Sequence, residues 1–158
     1  MIRHYRTSIH TSVLGILLAI LIAAVASAAQ MRETDATRPV SYYRAERVAK
    51  SFAQGAVLYA GDTNYMIHTS RRVAPGMAEV HEQDTDLIYV LEGSATFVTG
   101  GRVVDPRTTA AGEIRGVSID GGETRELAKG DVIIVPSGTP HWFKGVRGPV
   151  LYYTIKVR

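Results

Sequence analysis

The sequence predicts an all-β fold, a sandwich or barrel preceded by one short helix. Seven short apolar runs follow residue 56, and glycine, proline and aspartate separate them. Apolar runs of strand length between turn signals are typical of antiparallel β-proteins. No stretch after residue 56 keeps a helical period long enough for helices between parallel strands. The predicted strands are residues 57–59, 65–70, 87–91, 95–98, 114–119, 132–135 and 150–157.

The first 29 residues predict an export signal. Residues 1–12 contain two arginines and no acid, and residues 13–29 are almost entirely Leu, Ile, Val and Ala. The run ends in Ala26-Ser27-Ala28, small residues that suit a secretory cleavage site. An apolar run of this length also just suffices to span a membrane, so an uncleaved anchor is the alternative. We therefore expect a periplasmic or secreted protein, attached to a membrane only if the leader is retained.

Residues 30–55 predict an N-terminal arm with a short helix. The arm is polar up to residue 41, but between residues 44 and 54 alanine, valine and phenylalanine recur at helical spacing. Gly55 suits the C-terminal end of that helix. Its apolar stripe is expected to lie on the barrel, which we assign to residues 56–158.

Charge and cysteine content exclude several classes of function. The leader contains two of the 18 basic residues and none of the 15 acidic ones, so the remaining chain is close to neutral. It has no run of Lys and Arg with interleaved aromatics, and we expect no nucleic-acid partner. The sequence contains no Cys, which excludes thiolate catalysis and cysteine-based metal sites. A metal would have to use histidine, carboxylate or amide oxygen.

Two stretches combine turn signals with metal-ligand residue types. Residues 79–93, EVHEQDTDLIYVLEG, place His81 and Gln83 two positions apart, where they share a face in an extended strand. Asp86 follows at the start of the next apolar run. Residues 130–145, GDVIIVPSGTPHWFKG, place His141 after an apolar run, a proline and a glycine. An imidazole, an amide oxygen and a carboxylate are all acceptable ligands for a divalent ion.

Together the two stretches resemble the two motifs of the cupin superfamily. The second motif, G-x5-P-x-G-x2-H-x3-N, is matched by Gly130, Pro136, Gly138 and His141, and Gly145 replaces the final Asn. The first motif, G-x5-H-x-H-x3,4-E-x6-G, is matched more loosely. Gly93 fits its closing glycine, and His81, Gln83 and Asp86 stand for the two histidines and the glutamate. The resemblance implies a cupin-type jelly-roll β-barrel.

The resemblance also implies a metal site made of His81, Gln83, Asp86 and His141. With two imidazoles and two oxygen ligands, this set favours manganese or iron, and zinc is acceptable. The alternative is that both histidines are hydrogen-bonded residues of the barrel without an ion. Glu79 shares the predicted strand face of His81 and is the candidate catalytic base. The sequence pattern does not show which way the side chain of His68 points. Adjacent strand residues face opposite sides of a sheet, so at most one of Arg71 and Arg72 faces the barrel interior.

Three functions remain open on the sequence alone. The first is a single-metal enzyme that acts on a small molecule by dioxygenation, isomerisation or lyase chemistry. The second is a non-catalytic module that binds a small molecule, and the third is a structural barrel with an empty site. Residues 102–112 are polar and predict an exposed loop or lid. Because cupins commonly pair, and because residues 150–157 offer a partly apolar face, we also expect a homodimer.

Overall fold

The computed structural model describes residues 40–61 and 64–158, which contain eleven strands and one helix. The predicted leader, and the arm up to residue 39, lie outside these residues. The helix and strands are α1 (Ala45–Gln54), β1 (Val57–Ala60), β2 (Tyr65–Arg72), β3 (Ala78–His81), β4 (Thr85–Thr99), β5 (Arg102–Val104), β6 (Arg107–Ala110), β7 (Glu113–Gly116), β8 (Ser118–Asp120), β9 (Glu123–Ala128), β10 (Val132–Val135) and β11 (His141–Val157).

Helix α1 confirms the predicted amphipathic helix and its end. Gly55 adopts a left-handed conformation with φ of 60°, and its N–H donates to the carbonyl oxygen of Phe52. This is the geometry that glycine favours at a helix C-terminus. Phe52 packs edge-on against Tyr153 of β11, with ring centroids 5.0 Å apart. Ser51 and Thr69 share a hydrogen bond of 2.7 Å between their hydroxyl groups. The helix therefore covers part of the outer face of β2 and β11.

Strands β4 and β11 run through both halves of a curled antiparallel sheet. The two strands are antiparallel, so the start of β4 pairs with the end of β11 at Thr85↔Val157, and the end of β4 pairs with the start of β11 at Thr99↔His141. In one half, β2 pairs with the C-terminal part of β11 and β10 pairs with the N-terminal part of β4. In the other half, β3 pairs with His141, the first residue of β11, and β9 pairs with the end of β4. This is the jelly-roll arrangement that the motifs predicted.

The buried core lies between the two halves of the sheet. Its larger cluster includes Ile88, Val90 and Phe97 from β4 and Phe143, Val150 and Tyr152 from β11. These inward positions alternate with outward ones along each strand, as the pleat requires. A second cluster forms around Ala78, Val80 and Val98, with Trp142 packed against it. The core is therefore centred on the two long strands.

Four local predictions differ from the structure, and one of them is the strand predicted at residues 114–119, which the structure divides at Val117 into β7 and β8. Residues 87–91 and 95–98 were predicted as two strands, but β4 is continuous, because Gly93 bends the strand at φ of 78° without reversing it. Strand β9 was not predicted, because four of its six residues are polar or charged and most of them face solvent. The predicted loop at 102–112 contains the short strands β5 and β6, although β6 is fully exposed.

The predicted dimer face of β11 is partly occupied within the chain. Residues 150–157 pair with β2 on one side and with β4 on the other, so this segment offers no free strand edge. Its outward side chains are covered in part by α1, through Phe52 and Tyr153. Within residues 40–61 and 64–158, no helix has the length and apolar character needed to cross a bilayer.

The bend at Gly93 yields a prediction about stability. A Cβ at this position would overlap the carbonyl oxygen of Pro149 and lie 3.1 Å from its carbonyl carbon. Gly100 has a similar φ of 73° with nothing within 4 Å of the position that a Cβ would occupy, and serves as the control. Both alanine substitutions should cost about 1–2 kcal/mol for the left-handed backbone. Gly93→Ala should cost about 1–3 kcal/mol more, because the strand crossing must open. Equal losses in urea denaturation would contradict this account of the bend.

Candidate metal centre and cavity

A cavity of about 600 Å³ opens inside the barrel and is lined by charged and polar side chains. Its lining comes from both halves of the sheet, with strands β2, β3, β4, β6, β7 and β11 contributing residues. Three histidines face it: His68, His81 and His141. The acids that line it are Glu79, Asp84, Asp86 and Glu113, and the bases are Arg72, Arg115, Lys156 and Arg158.

Strand pairing places Glu79, His81 and His141 together. Glu79 and His81 are two residues apart in β3, so both side chains point to the same face. His141 is the first residue of β11 and lies directly opposite Glu79 in the antiparallel register. The turn before β11 is held against the end of β3, because the N–H of Gly138 donates to the carbonyl oxygen of His81 at 2.8 Å. The two motifs are therefore joined by backbone hydrogen bonds.

One potential ligand atom from each of these three residues lies within 4.8 Å of the others. The Nε2 atom of His81 is 3.6 Å from Oε2 of Glu79, and that of His141 is 3.9 Å from the same oxygen. Asp86, near the start of β4, adds a fourth group. Its Oδ2 atom is 3.4 Å from Nε2 of His81 and 3.8 Å from Nε2 of His141. Two imidazole nitrogens thus face two carboxylate oxygens.

Hydrogen bonds at the other ring nitrogen fix the orientation of both imidazoles. Nδ1 of His81 lies 2.7 Å from Oε2 of Glu113, and Nδ1 of His141 lies 3.1 Å from the carbonyl oxygen of Thr139. Carboxylates and carbonyls only accept, so we assign the proton of each neutral ring to Nδ1. The Nε2 lone pairs then point toward Glu79 and Asp86. Metal-ligating histidines are held in this way in proteins.

Two basic residues hold the carboxylates in place. Oε1 of Glu79 pairs with the guanidinium of Arg115, while Oδ1 of Asp86 accepts a hydrogen bond of 2.8 Å from Lys156. Arg115 also lies 3.8 Å from Glu113. Each carboxylate therefore directs one oxygen toward a basic side chain and the other toward the imidazoles.

The pKa values of the cluster move in opposite directions. Burial lowers the pKa of His81, but the hydrogen bond and the charge of Asp86 outweigh burial, so the net pKa is raised above 6.5. Burial raises the pKa of Asp86, yet its hydrogen bonds to His81 and Lys156 outweigh burial and lower it overall. For His141, burial dominates and lowers the pKa. Without an ion, His81 is therefore the ring that takes up a proton first.

The structure brings together three of the four residues predicted as ligands and leaves one outside. His81, Asp86 and His141 meet in the cavity, but Gln83 does not line it and is exposed. Strand β3 ends at His81, so the predicted shared face of His81 and Gln83 does not extend that far. The chain turns there, and the N–H of Glu82 donates to the carbonyl oxygen of Gly112. Glu79, predicted as a base, lies among the potential ligands instead.

The residues that support the cluster were not predicted from the sequence. Glu113 faces His81 across the β3–β7 pairing, and Lys156 faces Asp86 across the β4–β11 pairing. These partners are 32 and 70 residues apart, so no local motif contains them. The expectation for Arg71 and Arg72 is confirmed, because Arg72 lines the cavity and Arg71 is exposed. His68 also lines the cavity, and its Nε2 atom lies 3.1 Å from Sδ of Met66.

The residues present fit a divalent ion. Two imidazole nitrogens and one or two carboxylate oxygens form a set that suits iron, manganese or zinc. When both rings are neutral, every group at the centre is an acceptor, so a cation or a proton is needed between them. An ion held by two histidines and one carboxylate would have further coordination positions open to a small molecule.

Comparison with known proteins agrees with this fold. A family model described as Cupin matches residues 67–157, more than half of the sequence. The chain belongs to the cupin family. A search of proteins of curated function found no match.

Solved structures show the same likeness at low sequence identity. BH2720 from Bacillus halodurans is 17% identical, with a TM-score of 0.54, over 78% of this chain and 83% of that one. The polyketide cyclase RemF from Streptomyces resistomycificus is 20% identical, with a TM-score of 0.41, over 61% of this chain and 56% of that one. A variant of Streptomyces PAC13 with uridine is 14% identical, with a TM-score of 0.44, over 64% of this chain and 65% of that one. The likeness to BH2720 shows a shared fold and carries no information about substrate.

The hydrogen bond from His81 to Glu113 yields a prediction about metal affinity. Glu113→Ala should weaken binding of Mn²⁺ or Zn²⁺ by about 10–100-fold, because His81 loses the acceptor that orients its ring. Glu123→Ala is the control, since Glu123 is exposed and pairs with the partly exposed Arg125. Calorimetric titration of both variants with each ion measures the difference. Equal affinities would show that Glu113 does not orient the ring.

Proposed function

We propose that this chain is an exported single-domain cupin that binds one divalent metal ion and acts on a small molecule in its cavity. Glu79, His81 and His141 would hold the ion, with Asp86 as a fourth ligand through Oδ2. The observation that carries this proposal is the convergence of two oriented Nε2 atoms on Oε2 of Glu79 and Oδ2 of Asp86, at 3.4–3.9 Å.

A bound ion would supply Lewis-acid chemistry, and redox chemistry as well if it is iron or manganese. The protein side of the site is arranged to support this. Glu113 and Thr139 fix the imidazole tautomers, while Arg115 and Lys156 neutralise the two acids. The cavity around the cluster has room for a small substrate. These features favour the dioxygenase, isomerase or lyase types of reaction found on this barrel.

A non-catalytic barrel without a metal is the second candidate, and one observation favours it. In the described part of the chain, no buried side-chain nitrogen or oxygen lacks a hydrogen-bond partner. The pairs of Glu79 with Arg115 and of Asp86 with Lys156 satisfy the acids without an ion. A protonated His81 could then occupy the centre of a purely structural polar network. Metal content separates the two candidates.

Metal content should depend on the clustered histidines and not on the third histidine of the cavity. His81→Ala and His141→Ala should each lower metal affinity by more than about 100-fold, because loss of an orienting group alone costs about 10–100-fold. His68→Ala is the matched control, since His68 lines the same cavity beside Met66. Gln83→Ala should have no effect, because Gln83 is exposed. Elemental analysis of the purified variants measures the bound ion.

Two outcomes would count against the metal proposal. If the wild-type protein holds no more ion than the His81→Ala/His141→Ala double variant, the polar-network candidate is correct. If His68→Ala loses as much ion as His141→Ala, the ion lies elsewhere in the cavity.

Metal binding should also weaken as the pH falls. The ion requires neutral imidazoles, so protons compete with it. Because Asp86 raises the pKa of His81 above 6.5 in the metal-free protein, this competition begins above pH 6.5 and increases as the pH is lowered through that range. In Asp86→Asn, the competition should begin at lower pH, although affinity at high pH falls. Zn²⁺ affinity measured from pH 5 to pH 8 tests this, and a profile unchanged in Asp86→Asn would contradict it.

We further propose that the leader at residues 1–29 directs export. Its basic start, apolar run and Ala26-Ser27-Ala28 support this proposal. The intact mass of protein recovered from the producing cell should correspond to a chain that begins after residue 28. A full-length mass in the membrane fraction would indicate an uncleaved anchor.

Light scattering of the same sample would measure whether the protein is a homodimer.

A further inference from the structure

We propose that Arg72 recognises a carboxylate of the substrate, so that the cavity takes a small anionic molecule. This inference rests on the proposed function only in assuming that the cavity is the substrate site. The observations that support it are the pairing of charges around the cavity, the way in which Arg72 is held, and the charge that an ion would add.

Arg72 differs from the other bases of the cavity in having no acidic partner. Arg115 pairs with Glu79, Lys156 pairs with Asp86, and Arg158 pairs with Asp84. Among residues 40–61 and 64–158, no carboxylate forms an ion pair with Arg72, whose Nε–H donates instead to the hydroxyl of Tyr152 at 3.3 Å. A guanidinium is always charged in proteins and matches a carboxylate through two parallel hydrogen bonds. Its charge is therefore available to a ligand.

Three neighbours hold the Arg72 side chain in a fixed position. Its guanidinium carbon lies 4.6 Å from the ring centroid of Phe143, over the ring face. Phe143 and Tyr152 are both buried and stack on each other, so this surface is rigid. On another side the guanidinium approaches Gly76, where a Cβ would lie 3.1 Å from the guanidinium carbon. A side chain restrained before binding loses less entropy when a ligand arrives.

The charge of the loaded site also favours an anion. In the described part of the chain, four acids and four bases line the cavity, so their formal charges balance. A divalent ion bound at Glu79, His81 and His141 would leave the cavity with an excess of positive charge. Arg72 and the ion would line the same cavity, so an anionic molecule could be attracted to both positive charges.

Binding of small carboxylates and of their neutral amides tests this inference. The probes are propionate, succinate and benzoate, each compared with propionamide, succinamide and benzamide. Dissociation constants are measured by ligand-observed NMR, on full-length protein loaded with Zn²⁺ and on the same protein after chelator treatment. In the wild type, at least one carboxylate should bind at least about tenfold more tightly than its amide.

Substitutions at neighbouring positions assign the effect to Arg72. Arg72→Gln should weaken carboxylate binding by about 10–100-fold and leave amide binding unchanged. Arg71→Gln is the matched control, because it removes the same charge from the next residue of β2, which is exposed. Gly76→Ala should fold normally, because the nearest atoms to the added Cβ belong to the Arg72 side chain and not to the backbone, but should weaken carboxylate binding several-fold by displacing the guanidinium. Arg72→Lys should fall between wild type and Arg72→Gln, because the forked geometry is lost while the charge remains.

The outcomes separate this inference from the metal proposal. Loss of carboxylate binding in Arg72→Gln, with metal content unchanged, supports Arg72 as the recognition residue. If the protein holds no metal but Arg72→Gln still removes carboxylate binding, the inference stands and the metal proposal fails. The inference is overturned if no carboxylate binds more tightly than its amide. It is also overturned if Arg71→Gln loses as much affinity as Arg72→Gln, or if chelation alone removes all the preference for carboxylates.

Discussion

The pairing of β4 with β11 is the constraint on which the rest of the molecule depends. These two strands belong to both halves of the curled sheet, and their side chains make up most of the buried core. Gly93 of β4 lies so close to the backbone of Pro149 in β11 that no Cβ fits there. The same pairing opposes Asp86 to Lys156, and it places His141 at the far end of β11, opposite Glu79 of β3. A local change of register between β4 and β11 would therefore separate Asp86, on β4, from His141, on β11.

The second constraint is electrostatic. His81, Asp86 and His141 are each almost completely buried, and a buried carboxylate or imidazolium is costly unless it is paired. Lys156 and Arg115 reduce this cost for the acids, and Glu113 and Thr139 do so for the rings. The arrangement keeps every ring nitrogen that faces the centre as an acceptor in the neutral state. A site of this kind suits a cation, and in its absence the raised pKa of His81 favours a proton on that ring.

The sequence was sufficient to predict the fold and three of the four residues that meet at the candidate centre, and it named the fourth, Glu79, as a base. Gly130, Pro136, Gly138 and His141 lie at fixed spacings around the short strand β10, and the turns at its two ends are determined by local backbone preferences. His81 was found through the same type of local motif. Gln83 was misplaced because the end of β3 depends on a hydrogen bond from Glu82 to the distant Gly112. Glu113, Lys156 and Arg72 could not be identified as parts of the cavity, because only the strand register brings them to it.

The most direct test of the account is a crystal structure of the protein grown with Zn²⁺, with diffraction data collected on both sides of the zinc absorption edge. We expect one anomalous difference peak inside the barrel, within bonding distance of Nε2 of His81, Nε2 of His141 and a carboxylate oxygen of Glu79. It also predicts that Gln83 remains on the surface. A barrel without such a peak, with His81 still hydrogen-bonded to Glu113 and its Nε2 atom still facing Asp86, would contradict the central claim that this cavity is a metal centre.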